Sequence, residues 1–278
     1  MSVLVTETQK QRLRELGATE LDGKVFRNTQ ERDASFRAVE KRMVEEEKKR
    51  LRRLREHSLP PMIERLERAL ADSLLDEGFV QVVTPIIITR DFLERMSIST
   101  ESHLTEQVFW VGRNKCLRPM LAPNLYHLWT RLIRLWEKPI RIFEIGPCFR
   151  KDTRGSHHLN EFTMLNLVEL GLPMESRTRR LRELASNVMG ASGISDYQVV
   201  SEPSEVYGET VDIVAGDGTE LCSAAMGPHP LDGAWGIFDP WVGLGFGLER
   251  LAMIKNGFQN IQRVGRGLMY LEGVRLNI

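Results

Sequence analysis

Arg150 ends a strand-like run, Ile140 to Arg150, that gives way to Lys151-Asp152-Thr153-Arg154-Gly155-Ser156-His157-His158-Leu159-Asn160. At a strand end the backbone is fixed while the guanidinium reaches past the sheet, and a planar, permanently charged fork suits two phosphate oxygens. Arg154 and His158 add donors in the same loop. On the returning run, Glu161 to Leu170, a period of two places Phe162, Met164, Asn166 and Val168 on one face. Core packing accounts for the phenylalanine, methionine and valine. It does not account for Asn166, because a buried unpaired amide costs about 1–3 kcal/mol. Something must hydrogen-bond it.

A second run, Gly243-Leu244-Gly245-Phe246-Gly247-Leu248-Glu249-Arg250, alternates glycine along a strand. That strips one face of side chains, so a flat ligand can lie on the backbone. Arg250 then falls on the first turn of the next helix. The spacing is not a dinucleotide fingerprint, and no βαβ unit with an acidic partner follows. Two arginines converging on one site suit a polyphosphate, with Phe162 beside the glycine floor suited to a stacked base. A third run, Glu220-Leu221-Cys222-Ser223, offers a carboxylate and a hydroxyl of the kind Mg²⁺ takes beside phosphates. Strict alternation would put Glu220 and Ser223 on opposite faces, so their convergence requires a bulge or twist.

The elements that must position these groups change character at Ser58-Leu59-Pro60-Pro61. Residues 1–58 read as a helical, polar segment and 59–278 as the larger domain. Leu13 and Leu16 belong to a first short helix ended by Gly17. Asn28-Thr29-Gln30-Glu31 resembles a capping box opening a longer one, with Phe36, Val39 and Met43 as a narrow apolar stripe interrupted by Glu45-Glu46-Glu47. From Lys41 to His57 it carries eight Lys/Arg against four Glu. That is either a solvated face or a cationic arm for a phosphate backbone. Beyond the prolines, Ile63, Leu66, Leu70 and Leu74 mark an amphipathic helix ended by Gly78, and Phe79 to Val83 a strand stopped by Pro85. A hairpin is expected from Gln107–Val111 through Gly112 to Cys116–Arg118. A helix begins at Pro123, with Leu125, Trp129, Leu132 and Trp136 on one side. A helix near Met174–Met189, strands near Tyr207–Val214, Glu220–Met226 and Trp241–Gly245, and a last helix from Gly247 complete an α+β fold on a largely antiparallel sheet flanked by helices.

With 278 residues the chain can bury one sizeable core. Its 38 basic residues balance 38 acidic ones, which neither favours nor excludes a nucleic-acid partner, since a local patch suffices. Cys116, Cys148 and Cys222 lie far apart, against a disulfide framework or zinc site, and the six histidines form no H-E-x-x-H. No apolar run approaches the roughly 20 residues of a membrane span, and no signal peptide is visible, so a cytoplasmic protein is expected.

In this order the pieces resemble the three signature motifs of class II aminoacyl-tRNA synthetases. Gly78 to Pro85 is similar to the first, a dimer-interface helix and strand. Phe149-Arg150-Lys151-Asp152 is similar to the second, usually Phe-Arg-x-Glu, with Asp152 one methylene shorter. Gly243 to Arg250 is similar to the third. Leu117 to Tyr126, Glu161 to Asn166 and Tyr207-Gly208-Glu209-Thr210 further resemble the pyrrolysyl-tRNA synthetase family across almost the whole chain. The likeness is greatest to its bacterial form, whose N-terminal tRNA-binding domain is a separate protein.

The resemblance implies ATP-dependent activation of pyrrolysine and its transfer to an amber-suppressor tRNA, by a homodimer using Mg²⁺. Arg150 and Arg250 would be catalytic, on the α- and γ-phosphates. Asp152, His158, Phe162, Leu221 and Gly245 would complete the ATP site, with Glu220 and Ser223 on Mg²⁺. Ala122, Leu125, Tyr126, Trp129, Val168, Trp241 and Gly243 would enclose the amino acid. Asn166 would bond its side-chain amide and Tyr207 would close over its ring. Some family members carry cysteine at Val168 and a smaller aliphatic residue at Trp129, which implies a differently shaped pocket floor here. The rival readings are a synthetase-like ligase for another amino acid or acceptor, and a silent relative that only binds tRNA. Arg150, Arg250 and Glu220 together argue against the second, since an inert site has no physical need for three desolvated charges.

Overall fold

Thr6 opens the first helix, α1 (Glu7–Glu15), with a capping box in which its hydroxyl and backbone both bond Gln9. A short ribbon of β1 (Val3–Leu4) and β2 (Val25–Phe26) lies beside it. Asn28 caps α2 (Thr29–His57) by accepting from Glu31 N at 2.9 Å, while the Glu31 carboxylate reaches Arg27 N, one residue earlier than a standard box. Phe36, Val39 and Met43 pack onto a small core of Leu13, Leu21 and Phe26, as the stripe predicts. The glutamate run that interrupts the stripe is more than a solvated break. Glu47 is buried and its Oε1 accepts from Arg263 at 3.1 Å, tying α2 to the C-terminal part of the chain. Ser58, left-handed at φ 45°, ends α2 at the expected change of composition.

The computed structural model describes residues 2–98, 103–151, 158–204 and 208–277; Asp152, Arg154 and Tyr207 lie outside the described residues. Helix α3 (Met62–Asp76) buries Leu66, Leu70 and Leu74. Strand β3 is only Val80–Gln81, shorter than the five residues expected. Thr84 leaves the ladder to bond Glu144 through its N–H (3.1 Å) and hydroxyl (2.6 Å), and Pro85 has no N–H to offer. β4 (Ile87–Thr89) and α4 (Arg90–Glu94) follow. The expected hairpin forms over a shorter stretch, beginning after Gln107 rather than at it. His103–Gln107 is a 3₁₀ turn, but Leu117 N donates to Phe109 O (2.9 Å) and Val111 N to Lys115 O (3.0 Å) around the Trp110–Cys116 bridge, and β5 (Lys115–Leu117) also pairs with β4 on its other side. Helix α5 (Ala122–Leu132) starts one residue before Pro123 and ends before Trp136, which is 40% exposed rather than on the buried side.

β6 (Ile140–Phe149) stops one residue short of the expected Arg150, and β7 (Glu161–Leu170) falls as expected, ten residues each. A 3₁₀ turn, Met174–Ser176, leads into α6 (Arg177–Ser192), and β8 (Tyr197–Ser204) is an edge strand that the sequence pattern does not reveal. β9 (Gly208–Ala215), β10 (Glu220–Gly227), β11 (Trp241–Gly247) and α7 (Leu248–Lys255) precede a terminal ribbon, β12 (Tyr270–Leu271) and β13 (Val274–Arg275). The main sheet runs β3-β6-β7-β11-β10-β9-β8, antiparallel except for β3 beside β6. α3, α6 and α7 close one face over Leu70, Phe143, Leu167, Leu244 and Phe246. α5 contributes to a second core on the other face, with Ile142, Val168 and Trp241. The open part of that second face holds the cavity described next.

Candidate active site

Strand register assembles the site. Asn166, Gly245 and Ser223 are successive cross-strand partners, with Glu144 at one end of the row and Asp212 at the other. The neighbouring rows place Val168 beside Gly243 and Ala225, and Met164 beside Gly247. Cross-strand partners share a face, so the alternating glycines do form a bare floor, walled by Phe162, Met164, Asn166 and Val168. A cavity of about 530 Å³ opens over it. Into it project Arg150, His158, Glu220, Ser223 and Arg250 from one side and Ala122, Leu125, Tyr126, Trp129 and Trp241 from the other. Three nominated residues, Asp152, Arg154 and Tyr207, fall outside the described residues; the structure brings all the others together around the cavity.

The convergence of Glu220 with Ser223 has the physical cause the spacing requires. β10 carries a bulge between Glu220 and Cys222 against β9: Glu220 pairs with Val214, yet Cys222 pairs with Ile213. The extra residue, Leu221, puts its side chain in the far core while its segment lines the cavity. Arg250 is steered by the same bulge, donating to Glu220 O at 3.0 Å and lying 3.6 Å from its carboxylate. Arg150 is held by its Nε bond to Pro119 O (2.8 Å), with its guanidinium 5.4 Å from the Phe162 ring centre. This end is therefore cationic, ringed by one aromatic face and backed by a carboxylate–hydroxyl pair.

At the other end the groups are apolar and nearly closed. Tyr126, Trp129 and Trp241 are each at most 3% exposed. The Tyr126 ring meets Trp129 edge-on at 5.4 Å and Trp241 edge-on at 5.8 Å, and stacks on Trp235 at 5.5 Å. Asn166 stands between the two ends. Its Nδ2 donates to Leu244 O at 3.0 Å, which answers the demand for a partner and fixes which way the amide points. The second hydrogen on Nδ2 can still donate to a carbonyl in the cavity.

Sequence reasoning gave no role to three acids here. Glu249 is buried and its two oxygens accept from Thr163 N at 2.9 and 2.8 Å, joining the helix that carries Arg250 to the strand that carries Phe162. Burial pushes its carboxyl up to about 7, opposed by those bonds. The position within the glycine-rich run was the available signal. Asp212 keeps a buried carboxylate oxygen, Oδ1, with no partner among the described residues, one strand from Ser223. Asp232 lies in a stretch rich in proline and glycine that reads as a loop, and nothing in that pattern marks it. The cysteines are chemically quiet: burial pushes Cys116 up to about 11 and Cys148 up to about 12, and raises Cys222 well above an ordinary thiol. Buried thiols held protonated in this way are poor nucleophiles near neutral pH.

Residues 62–272 match the family described as tRNA synthetases class II core domain (F). A crystal structure of a pyrrolysyl-tRNA synthetase from Desulfitobacterium hafniense is similar at 54% identity and a TM-score of 0.92, covering 100% of both chains. A second structure from that organism gives 54%, 0.91, and 99% and 98% coverage. Curated relatives are more distant. A histidine–tRNA ligase of Sulfolobus acidocaldarius is 26% identical over 146 residues, and a serine–tRNA ligase of Bradyrhizobium sp. (strain ORS 278) 28% over 148. These alignments cover 51% and 44% of this chain but only 29% and 33% of those relatives. The chain thus spans about a third of the length of the curated relatives it matches.

Proposed function

Because the chain belongs to the class II tRNA synthetase core-domain family, we propose that it is a pyrrolysine–tRNA ligase. One observation carries the chemistry: a single cavity with a cationic end and an aromatic end, joined by the row Asn166, Gly245 and Ser223. The choice of pyrrolysine is supported by the full-length similarity at 54% identity.

In the first step a substrate carboxylate oxygen would attack the α-phosphorus of ATP, and the bond to pyrophosphate would break. Arg150 would neutralise charge growing on the α-phosphate, and Arg250, with His158, the charge on the leaving pyrophosphate. Phe162 would stack on the base above Gly245, and Asp152 would contact the adenine edge. Asn166 would orient the amino acid by its side-chain carbonyl, while Ala122, Leu125, Tyr126, Trp129, Val168, Trp241 and Gly243 exclude water and Tyr207 closes the sleeve. In the second step the terminal hydroxyl of the amber-suppressor tRNA would take the aminoacyl group, and AMP would leave. The protein acts by positioning and electrostatics, with no covalent enzyme intermediate.

The donor set also fits Mg²⁺. Glu220 and Ser223 supply hard oxygens, few enough to leave room for phosphates, and Asp212 keeps its unpartnered carboxylate oxygen in the same patch of sheet. Bound there with ATP, the ion would neutralise charge on the phosphate oxygens.

Residues 1–58 would be a basic tRNA-contacting segment. On α2, Lys48 and Arg52 pair with Glu45, whereas exposed Lys49 and Arg53 form no ion pair among the described residues. A homodimer is supported by the apolar edge from β3 to the start of β4, where Val80, Val83 and Ile87 are 45%, 89% and 53% exposed. Among the described residues no helix is long and apolar enough to cross a membrane, consistent with the cytoplasmic setting this function needs. A separate N-terminal tRNA-binding protein would complete the system.

Amino-acid-dependent pyrophosphate exchange tests the reading. Exchange with pyrrolysine is expected, and exchange with phenylalanine but not pyrrolysine would overturn the substrate. Charging of the amber-suppressor tRNA, with and without residues 1–58, then tests the transfer step and the segment's role.

A further inference from the structure

Asp232 occupies a 3₁₀ turn, Pro230–Trp235, in the loop between β10 and β11, and it is buried to 1% exposure. A carboxylate at such depth carries a large desolvation penalty unless donors surround it. Here the donors come from three separate places. Tyr126, on α5, gives its hydroxyl to Oδ1 at 2.9 Å. Trp241, at the start of β11, gives its indole N–H to Oδ2 at 2.7 Å. His229 N donates to the same Oδ2 at 2.6 Å, which caps the turn. One side chain therefore ties a helix, a strand and a loop around the closed end of the cavity.

Both aromatic donors line that cavity, but Asp232 does not. Tyr126 and Trp241 would slide as apolar plates if only packing held them, since stacked and edge-on contacts tolerate displacement. Two charge-assisted bonds to a single carboxylate fix the distance between the phenol and the indole instead. Fixing that distance fixes the width of the sleeve. We propose that Asp232 is a positioning residue for amino-acid selection, setting the aromatic sleeve through Tyr126 and Trp241 without touching substrate. This rests on the reading of the aromatic end as the amino-acid site.

The test is a kinetic split in the full-length chain. Steady-state pyrophosphate exchange with pyrrolysine and ATP is measured for the wild type, Asp232→Ala, Tyr126→Phe and the double variant. Asp232→Ala is expected to raise KM for pyrrolysine about ten-fold, as one misplaced contact in a preorganised site does. It should leave KM for ATP within about two-fold, since the nucleotide end shares none of these bonds. Tyr126→Phe should cost less in the Asp232→Ala background than in the wild type, because the bond it removes is already gone. Equal rises in both KM values, or strictly additive effects, would overturn the inference. So would a lowered melting temperature with unchanged kinetic constants.

Should Asp232→Ala fail to fold, Asp232→Asn replaces it. The amide keeps one acceptor for Trp241 and His229 and can donate to the tyrosine oxygen, so the shape survives while the charge-assisted bonds are lost. A smaller KM rise for pyrrolysine alone supports the inference, and no rise overturns it. If the wild type does not activate pyrrolysine, the substrate reading falls by itself. The same ratios, measured with whichever amino acid the wild type does activate, still decide the role of Asp232.

Discussion

The two ends of the cavity are built by opposite means. At the cationic end the Arg250 and Glu220 side chains remain 25% and 51% exposed, and much of their support comes from backbone oxygens and a bulge. At the aromatic end Tyr126, Trp129 and Trp241 are almost fully enclosed, with the polar atoms of Tyr126 and Trp241 bound inside the protein. The difference teaches where specificity and rate reside. Half-exposed charges gain strength when a ligand excludes water around them, so that end responds to charge. A closed, close-packed end responds to volume and to single hydrogen bonds.

The strongest way to break this division is at Arg150. Arg150→Ala should lower pyrophosphate exchange by at least about 10³-fold, roughly 4 kcal/mol of transition-state stabilisation. Pyrrolysine affinity, measured by calorimetry, should barely change. Near-normal exchange would mean the cationic end does not govern rate. The boundary between the ends is sharpened at Asn166. Asn166→Ala should raise KM for pyrrolysine about ten-fold and admit analogues lacking the side-chain carbonyl, with KM for ATP within about two-fold. Matching losses for ATP would dissolve the boundary.

A third change should touch neither end. Charge reversal at Lys49 and Arg53 is expected to weaken tRNA binding several-fold at low salt, with the gap to wild type closing as salt rises. Pyrophosphate exchange should be unaltered. Filter binding across a salt series reads the first, and a fall in exchange would count against the separation.

The smallest effect is on stability. The Glu249 carboxyl sits at about 7 in the fold, above its ordinary 4.5, because burial penalises the anion. The folded state thus holds this proton more tightly than the unfolded chain. Its contribution to stability is complete below about pH 4.5 and is lost as pH rises to 7 and beyond. Glu249→Gln should flatten that part of the pH dependence of the melting temperature. A variant curve parallel to the wild type from pH 4.5 to 8 would refute the assignment.

What the sequence discloses follows the same physical divide. β6, β7 and the glycine strand are legible because alternation and a missing side chain are local signals, and cross-strand register then gathers their residues automatically. The need for a partner at Asn166 and for a bulge near Glu220 is legible for the same reason. Edge and loop elements are not. Tyr197-Gln-Val-Val-Ser-Glu-Pro-Ser contains a proline that argues against a strand, yet β8 tolerates it at the sheet's edge. The hairpin expected before Arg118 is shortened by the 3₁₀ turn at His103–Gln107, and its second strand, β5, also pairs with β4, a partner that no local pattern marks. Glu47 reads as a solvent charge because its partner, Arg263, is 216 residues away. Asp232 escapes notice because its meaning lies in two side chains from other elements.

The bulge at Leu221 carries a consequence of its own. Glu220 and Ser223 share a face only because β10 is one residue longer than its neighbour across that stretch. The pair proposed to hold Mg²⁺ is encoded by a count as much as by an alphabet. A relative with the same two residue types at the same spacing but a regular ladder would turn its acid toward the opposite side of the sheet, whereas one position fewer would let a regular strand keep both on one face. In this segment the bulge and the residue count must change together, and a gap placed there in any alignment is a statement about chemistry.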